Sequence, residues 1–278
     1  MSPGAQPTPR TFLICHRGAV LHEEGLARWL AAETELTGVL VIDEDRATVA
    51  RRARRQLRRD GLLRFLDVLA FRAYYLALLR GADRRWTEGV VARLSAAYPP
   101  VPASVPRLTV RSPNSREAED FLRACAPDVT LALCKNLLKK SVFTIPRHGT
   151  FVLHPGICPE YRNAHGCFWA LVQGDLENVG MTMLRIDEGV DTGPVYGYFR
   201  CAFDELRESH LRIQHRMTFD NLEGILALLR EIVAGRARPI DTTGRRSAVW
   251  GQPWLSSYLR WRLAARRRAS ARLRAAVS

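Results

Sequence analysis

Three short runs of uninterrupted apolar residues constrain the fold most: Thr11–Cys15 (TFLIC), Leu36–Ile42 (LTGVLVI) and Val129–Leu133 (VTLAL). A strand with one wet face alternates apolar and polar residues. A strand that is apolar throughout is covered on both faces, as in a parallel sheet. Between the first two runs lies Glu23–Glu33, where Leu26, Trp29 and Leu30 fall on one helical face. Strand, helix, strand at this spacing implies a βαβ crossover. The rhythm resumes after the Pro-rich connection 99–106 with a strand at Leu108–Arg111 and a helix at Ser115–Cys125. Ser112 or Asn114 is expected to cap that helix, and Glu117 and Glu119 suit its first turn. A short helix Leu137–Phe143, a strand Thr150–Leu153, a helix Gly166–Val172 and strands Met181–Ile186 and Pro194–Phe199 follow. Residues 207–235 read as mainly helical. The expected class is α/β, a mostly parallel sheet with flanking helices.

Residues 46–98 break this rhythm. The stretch 46–80 contains no Pro and only Gly61, so it reads as long helix, one or two. Its second half, Leu62–Leu79, is apolar at fifteen of eighteen positions, but Arg64, Asp67 and Arg72 argue against a clean membrane span. The chain's net charge of +14 sits in two places. Residues 46–64 hold eight Arg and one acid, residues 260–274 seven Arg and none, and the remainder is neutral. This excludes an acidic-tail protein and points to phosphorylated substrates, nucleic acid or an anionic membrane surface as partners. Nucleic acid is disfavoured because no docking motif is present. Two readings of 46–80 remain: an insertion packed on the body or on a second subunit of a homo-oligomer, and a helix lying on an anionic membrane surface, with 260–274 as a second basic contact. The six Cys form no CxxC pair, and residues 1–10 are polar and Pro-rich with no secretory pattern. Free thiols in a reducing cytoplasm are the expectation.

The densest stretch of special residues is 149–197. It contains His154-Pro155, Pro159-x-Tyr161-Arg162, Trp169-Ala170-Leu171, Gly174-Asp175, Gly180-x-Thr182 and Ile186-Asp187-x-Gly189-x-Asp191-Thr192-Gly193-Pro194. This run resembles the signature of the folate-dependent formyltransferases, the family of methionyl-tRNA, glycinamide ribonucleotide and amino-sugar N-formyltransferases. The resemblance covers about residues 107–200 well and 11–45 only as a generic strand–helix–strand. It implies a Rossmann-like formyltransferase fold with a lead at 1–10 expected to be disordered. A catalytic domain at 11–205 would follow, interrupted by the helical insertion 46–98, then a helical extension at 206–256 and a basic tail at 257–278. It further implies transfer of a formyl group from 10-formyltetrahydrofolate to an amine. His154 would stabilise the oxyanion; Asp191 would hold His154 and assist proton transfer. An imidazole directly after a buried strand is aimed into the crevice at the carboxyl end of the sheet, and a nearby carboxylate orients it.

The donor would lie between Cys134, Lys135, Leu137 and Leu138 on one side and Asp187 and Gly189 on the other. Lys135, Lys139 and Lys140 either meet its glutamate tail or form a solvated helix end. Asp187 suits turn support better than catalysis. Tyr161, Arg162, Asn163 and His165 would face the acceptor. Arg162 either contacts a phosphate or carboxylate there or pairs with an acid. One departure stands out: the family has Asn two residues before the His, and this chain has Val152. Loss of one oxyanion donor lowers rates by about 10²–10³. Asn163, at a position where the family often has Gly, and His165 are candidate substitutes. A re-wired formyltransferase, a related transfer reaction and a non-catalytic, ligand-binding relative at a membrane surface all remain open. His154, Cys158, His165 and Cys167 lack the spacing of a structural zinc site, so no metal is expected. Methionyl-tRNA formyltransferases carry a C-terminal β-barrel, whereas residues 207–234 here read as helix, which favours an amino sugar or another specialised amine as acceptor.

Overall fold

A computed structural model describes residues 8–275. The expected disordered lead lies outside the described residues up to position 7. Pro9 is already buried, and Arg10 opens the first strand.

Seven strands form one sheet in the order β3-β2-β1-β4-β5-β7-β8. They are β1 (Arg10–His16), β2 (Glu35–Ile42), β3 (Arg107–Val110), β4 (Val129–Leu133), β5 (Thr150–His154), β7 (Met181–Arg185) and β8 (Val195–Phe199). The first five in this order are parallel; β7 runs antiparallel to β5, and β8 antiparallel to β7 at the sheet edge. Both sheet faces are covered, which explains the uninterrupted apolar runs. Leu13 and Cys15 point to one core with Val39, Leu131 and Phe151; Phe12 and Ile14 point to the other with Leu40 and Leu122. A wide helical turn, Leu21–Leu26, leads into α1 (Ala27–Glu33) between β1 and β2.

The insertion forms three helices, α2 (Arg46–Asp60), α3 (Leu62–Tyr74) and α4 (Arg80–Ala97), with a π-helical turn Tyr75–Leu79 before α4. Gly61, at φ +77°, divides the first two. The insertion packs on the body rather than standing free. Val90 and Leu94 of α4 and Phe71 of α3 belong to the larger core. Helix α5 (Arg116–Cys125) is capped by Ser115, whose Oγ accepts from Ala118 N–H at 3.3 Å, and not by Ser112 or Asn114. Asn114 has another task, described below.

The chain beyond β8 departs from a uniform helical extension. Helices α8 (His210–Phe219) and α9 (Leu222–Val233) bury Ile213, Met217, Ile225 and Leu229 in the larger core. Residues 236–254 contain no helix. There β9 (Val249–Trp250) pairs in parallel with β6 (Arg162–Asn163). Residues 255–275, the basic C-terminal segment, form one helix, α10 (Leu255–Ala275). Tyr258, Trp261 and Ala265 make a sparse inward stripe, and the Tyr258 ring lies 5.2 Å from Phe71. The arginines between them hid that stripe in the sequence.

Four histidines pack near α4, α8 (His210–Phe219) and the loop after β6. The His215 ring lies 6.1 Å from His22 and stacks 6.3 Å from Trp86; His165 lies 6.3 Å from His210. Desolvation pushes His22 down to about 3, His165 and His215 to about 4, and His210 well below its ordinary value. All four therefore stay neutral in the fold while an unfolded chain takes up protons below about 6.5. The unfolded state binds more protons between those limits, so stability falls as pH drops from about 6.5 toward 4. Chemical denaturation at pH 7 and pH 4.5 should differ by several kcal/mol, the lower pH being less stable.

Candidate functional site

The site is built where β5 ends. β5 hands over to a tight turn through Pro155 and Gly156, and His154 is buried, 3% exposed. A Cβ on Gly156 would lie 2.6 Å from the Tyr161 carbonyl and 3.0 Å from His154 Nε2, so only glycine lets this turn close over the ring. The imidazole is held at both nitrogens. Nε2 lies 2.7 Å from the Tyr161 carbonyl oxygen and Nδ1 lies 3.3 Å from Asp191 Oδ2. A carbonyl only accepts, so Nε2 carries a hydrogen and donates. When Nδ1 also carries a proton, the ring donates both ways and Asp191 becomes its counter-ion. The two residues singled out in the sequence are thus in contact. In this arrangement, however, His154 has no free N–H to offer an oxyanion.

Asp191 sits at φ +50°, Asn163 at φ +79° and His165 at φ +54°. Three of the four described non-glycine residues at positive φ therefore gather at one place. Such strain persists only where surrounding contacts enforce it, and it is concentrated at functional sites. Asn tolerates this region better than most residues, which accounts for Asn standing where glycine is usual. The Asn163 N–H donates to Asp191 Oδ2 at 2.8 Å, and its side-chain amide donates to the Trp250 carbonyl. Arg162 donates to the Val190 carbonyl at 3.1 Å. It ties the Asp191 loop to β6 and pairs with no acid among the described residues, while its Nε keeps no partner. His165, kept neutral by burial, has no partner at Nδ1.

Tyr161 was expected on the acceptor side and is instead turned inward, 4% exposed. Its hydroxyl donates to Asp175 at 2.8 Å, and its ring stacks on Trp250 at 5.7 Å. Trp250 also stacks on Trp169 at 5.0 Å, and Trp254 meets Trp169 edge-on at 4.5 Å. Residues 245–254 thus form a strap over Tyr161 and Trp169, tied to Asn163 beside Asp191. Arg245 fixes it through two bonds to Glu160, at 2.9 and 2.7 Å. Trp250→Ala should lower stability by roughly 2 kcal/mol, the order of a half-buried aromatic side chain, read as a fall in Tm.

The two loops expected to hold the donor flank this pair. In the loop after β4, Leu138 is buried and Leu137 is 68% exposed. Burial pushes the Cys134 thiol up to about 11. Lys135, Lys139 and Lys140 are exposed. Three residues that sequence reasoning missed fix this loop. His16 Nε2 accepts from Lys135 N–H at 3.0 Å, and Glu44 accepts from the Asn136 amide at 3.0 Å. Asn114 accepts from Lys139 N–H at 2.7 Å and donates to the Leu137 carbonyl at 2.9 Å. Because Asn114 occupies these backbone groups, the expected helix from Leu137 shrinks to α6 (Lys140–Phe143).

In the facing loop, Asp187 Oδ1 accepts from Gly189 N–H at 3.0 Å and from Thr192 Oγ1 at 2.7 Å. Through that oxygen it supports the turn. A Cβ on Gly189 would lie 1.9 Å from Thr192 Oγ1, which demands glycine there. Lys140 and Glu188 join the two loops by an exposed ion pair of 3.2 Å. Buried Asn136 Oδ1, Arg162 Nε and His165 Nδ1, all around this crevice, have no partner. Buried polar atoms of this kind call for a hydrogen-bonding ligand or water, so the residues fit a polar donor such as a reduced folate. Val152 does not: it packs against Cys158, Leu184 and Val195. Among the described residues no cluster of three or more His, Cys, Asp or Glu side chains could hold a metal ion.

The fold defines a crevice at the carboxyl end of a mostly parallel sheet, with a His–Asp pair beside two anchored loops. The formyl transferase family pattern matches residues 80–229, and the chain belongs to that family. It is 37% identical over 134 residues to methionyl-tRNA formyltransferase of Salinispora tropica, covering 47% of this chain and 42% of the relative. The corresponding enzyme of Sorangium cellulosum is 33% identical over 141 residues, covering 49% and 44%. These matches span less than half the length of either relative. Phosphoribosylglycinamide formyltransferase of Anaplasma phagocytophilum shares the fold with a TM-score of 0.52 at 13% identity, covering 89% of this chain and 100% of that one. A 4-N formyltransferase of Francisella tularensis does so with a TM-score of 0.51 at 9% identity, covering 92% and 87%.

Proposed function

We propose that the protein transfers a formyl group from 10-formyltetrahydrofolate to the amine of a small or carrier-linked acceptor, such as an amino sugar, in the cytoplasm. The observation that carries this reading is the His154–Asp191 contact beside two anchored loops in a member of this family. The bound donor would supply the one-carbon acyl group. The acceptor nitrogen bonds to the formyl carbon, the bond from that carbon to N10 breaks, and N10 gains a proton as the amine loses one. Asp191 and His154 Nδ1 stand where that proton can be held and returned. Leu137, Leu138 and the 186–191 backbone would hold the donor's ring. A cavity of about 650 Å³ continues outward from Ile186 and Glu188 and is lined by Lys140, Arg147, Arg185 and Arg238. These cations suit the donor's glutamate carboxylates; of the three lysines considered for that role, only Lys140 lines it.

A tRNA acceptor is not carried over from the relatives, because the shared region is less than half of their length. A carrier-linked acceptor would meet the protein at the inner face of a membrane. A second reading, a ligand-binding relative without turnover, is favoured by Val152 and by the engaged His154 Nε2. The test is consumption of 10-formyltetrahydrofolate in the presence of a panel of nucleotide-linked amino sugars, with the formamide product detected by mass spectrometry. Turnover with any member supports transfer. Tight donor binding with no turnover across the panel supports the second reading.

A further inference from the structure

Helix α3 is apolar on two opposite sides. Inward, Val68 and Phe71 are buried against the body. Outward, Leu62 is 63% exposed, Leu63 84%, Leu66 50% and Leu69 40%, and Leu76 in the following turn is 59% exposed. Leu62, Leu66, Leu69, Ala73 and Leu76 recur at helical spacing, so they form one stripe. Helix α10, packed on the inward side of α3 through Tyr258 and Phe71, exposes Leu259 and Leu263 by about half as well. Single exposed leucines need no explanation, whereas a stripe of this length marks an interaction surface.

The charge around it selects the partner. On adjoining α2, Arg51, Arg54, Arg55 and Arg58 are exposed, and the helix carries no acid before Asp60. On α10, Arg266 and Arg267 are exposed. A second copy would bring arginines against arginines. No described helix is long and apolar enough to cross a membrane. An anionic lipid surface satisfies both features, since leucines enter the interface while guanidiniums pair with phosphates.

We infer that the exposed face of α3, with the arginines of α2, docks the protein on an anionic lipid surface. The inference rests on the carrier-linked acceptor proposed above and gives it a geometry. Arg64 of α3 lies 4.6 Å from the Trp254 ring, and Asp67 accepts from Ser256 N–H at 3.1 Å. Trp254 and Trp250 both pack on Trp169, and Trp250 accepts from Asn163. Helix α3 therefore joins, through Arg64 and Asp67 on its other side, the strap that packs on Trp169 and ties to Asn163. An amine carried on a lipid would reach the site from the surface that recruits the enzyme.

The test is flotation of the full chain with vesicles of phosphatidylcholine alone or mixed with phosphatidylglycerol, at low and high salt. Neither donor nor acceptor is needed, so failure here is distinct from failure of the catalytic reading. The wild type should float with the mixed vesicles at low salt and not with phosphatidylcholine alone. Leu63→Ser/Leu66→Ser and Arg54→Glu/Arg55→Glu, at exposed positions that leave the core intact, should each weaken partition by about tenfold or more. Equal binding to both vesicle types, or no binding to either, overturns the proposal. So does a leucine variant that turns a sedimenting dimer into a monomer without altering flotation, since the face then belongs to a second copy.

Discussion

His154→Ala should lower the rate of formyl transfer by about 10²–10⁴, the range for losing a positioned proton-transfer group. Asp191→Asn should act in the same direction. The neutral amide cannot serve as counter-ion to the imidazole, although one of its atoms can still accept from Asn163 N–H. In His154→Ala the loss should appear in kcat with little change in KM for the donor, because His154 lies outside the two loops expected to hold it; Asp191→Asn, in the 186–191 loop, should also raise KM. Steady-state kinetics at saturating donor makes this measurement. An unchanged kcat in both variants would remove the pair from the reaction. Since His154 is buried with two partners, thermal unfolding of each variant separates lost chemistry from lost fold.

Val152→Asn should act in the opposite direction. A side-chain amide two residues before His154 on β5 would be added on the same side of the strand as the imidazole. One oxyanion donor contributes about 10²–10³ in rate, so an attenuated transferase should gain on that order. The substitution also places a polar group among Cys158, Leu184 and Val195. A buried amide without a partner lowers stability by about 1–3 kcal/mol, so a faster but less stable enzyme is the expected result. A variant that binds donor as before and gains no activity would favour the non-catalytic reading.

The sheet was legible because its signal is local. β4 falls at Val129–Leu133 as read from the sequence, since a five-residue apolar run between Pro127-Asp128 and Cys134 leaves little choice. That His154 and Asp191 would meet was legible because their surrounding pattern is specific. What was missed depends on distant contacts. Tyr161 turns inward because Trp250, 89 positions away, offers its ring. Asn114 was read as a cap, yet it holds a loop 23–25 positions downstream. A signal for the loop anchors did exist. His16, Glu44 and Asn114 stand at or just beyond the carboxyl ends of β1, β2 and β3, and ligands of open α/β sheets bind at those ends. Reading polar residues at strand ends together, instead of one by one, would have placed them at the crevice.

The most direct test of the central claim is calorimetric titration of the protein with a stable formyl-tetrahydrofolate analogue, on wild type and on Asp191→Ala. Asp191 braces the loop that faces Leu137 and Leu138 by accepting from Asn163 N–H. Micromolar binding to the wild type, weakened in the variant, is the predicted result. Absence of binding at millimolar analogue would contradict the account, because the crevice between the two loops would then not be a folate site.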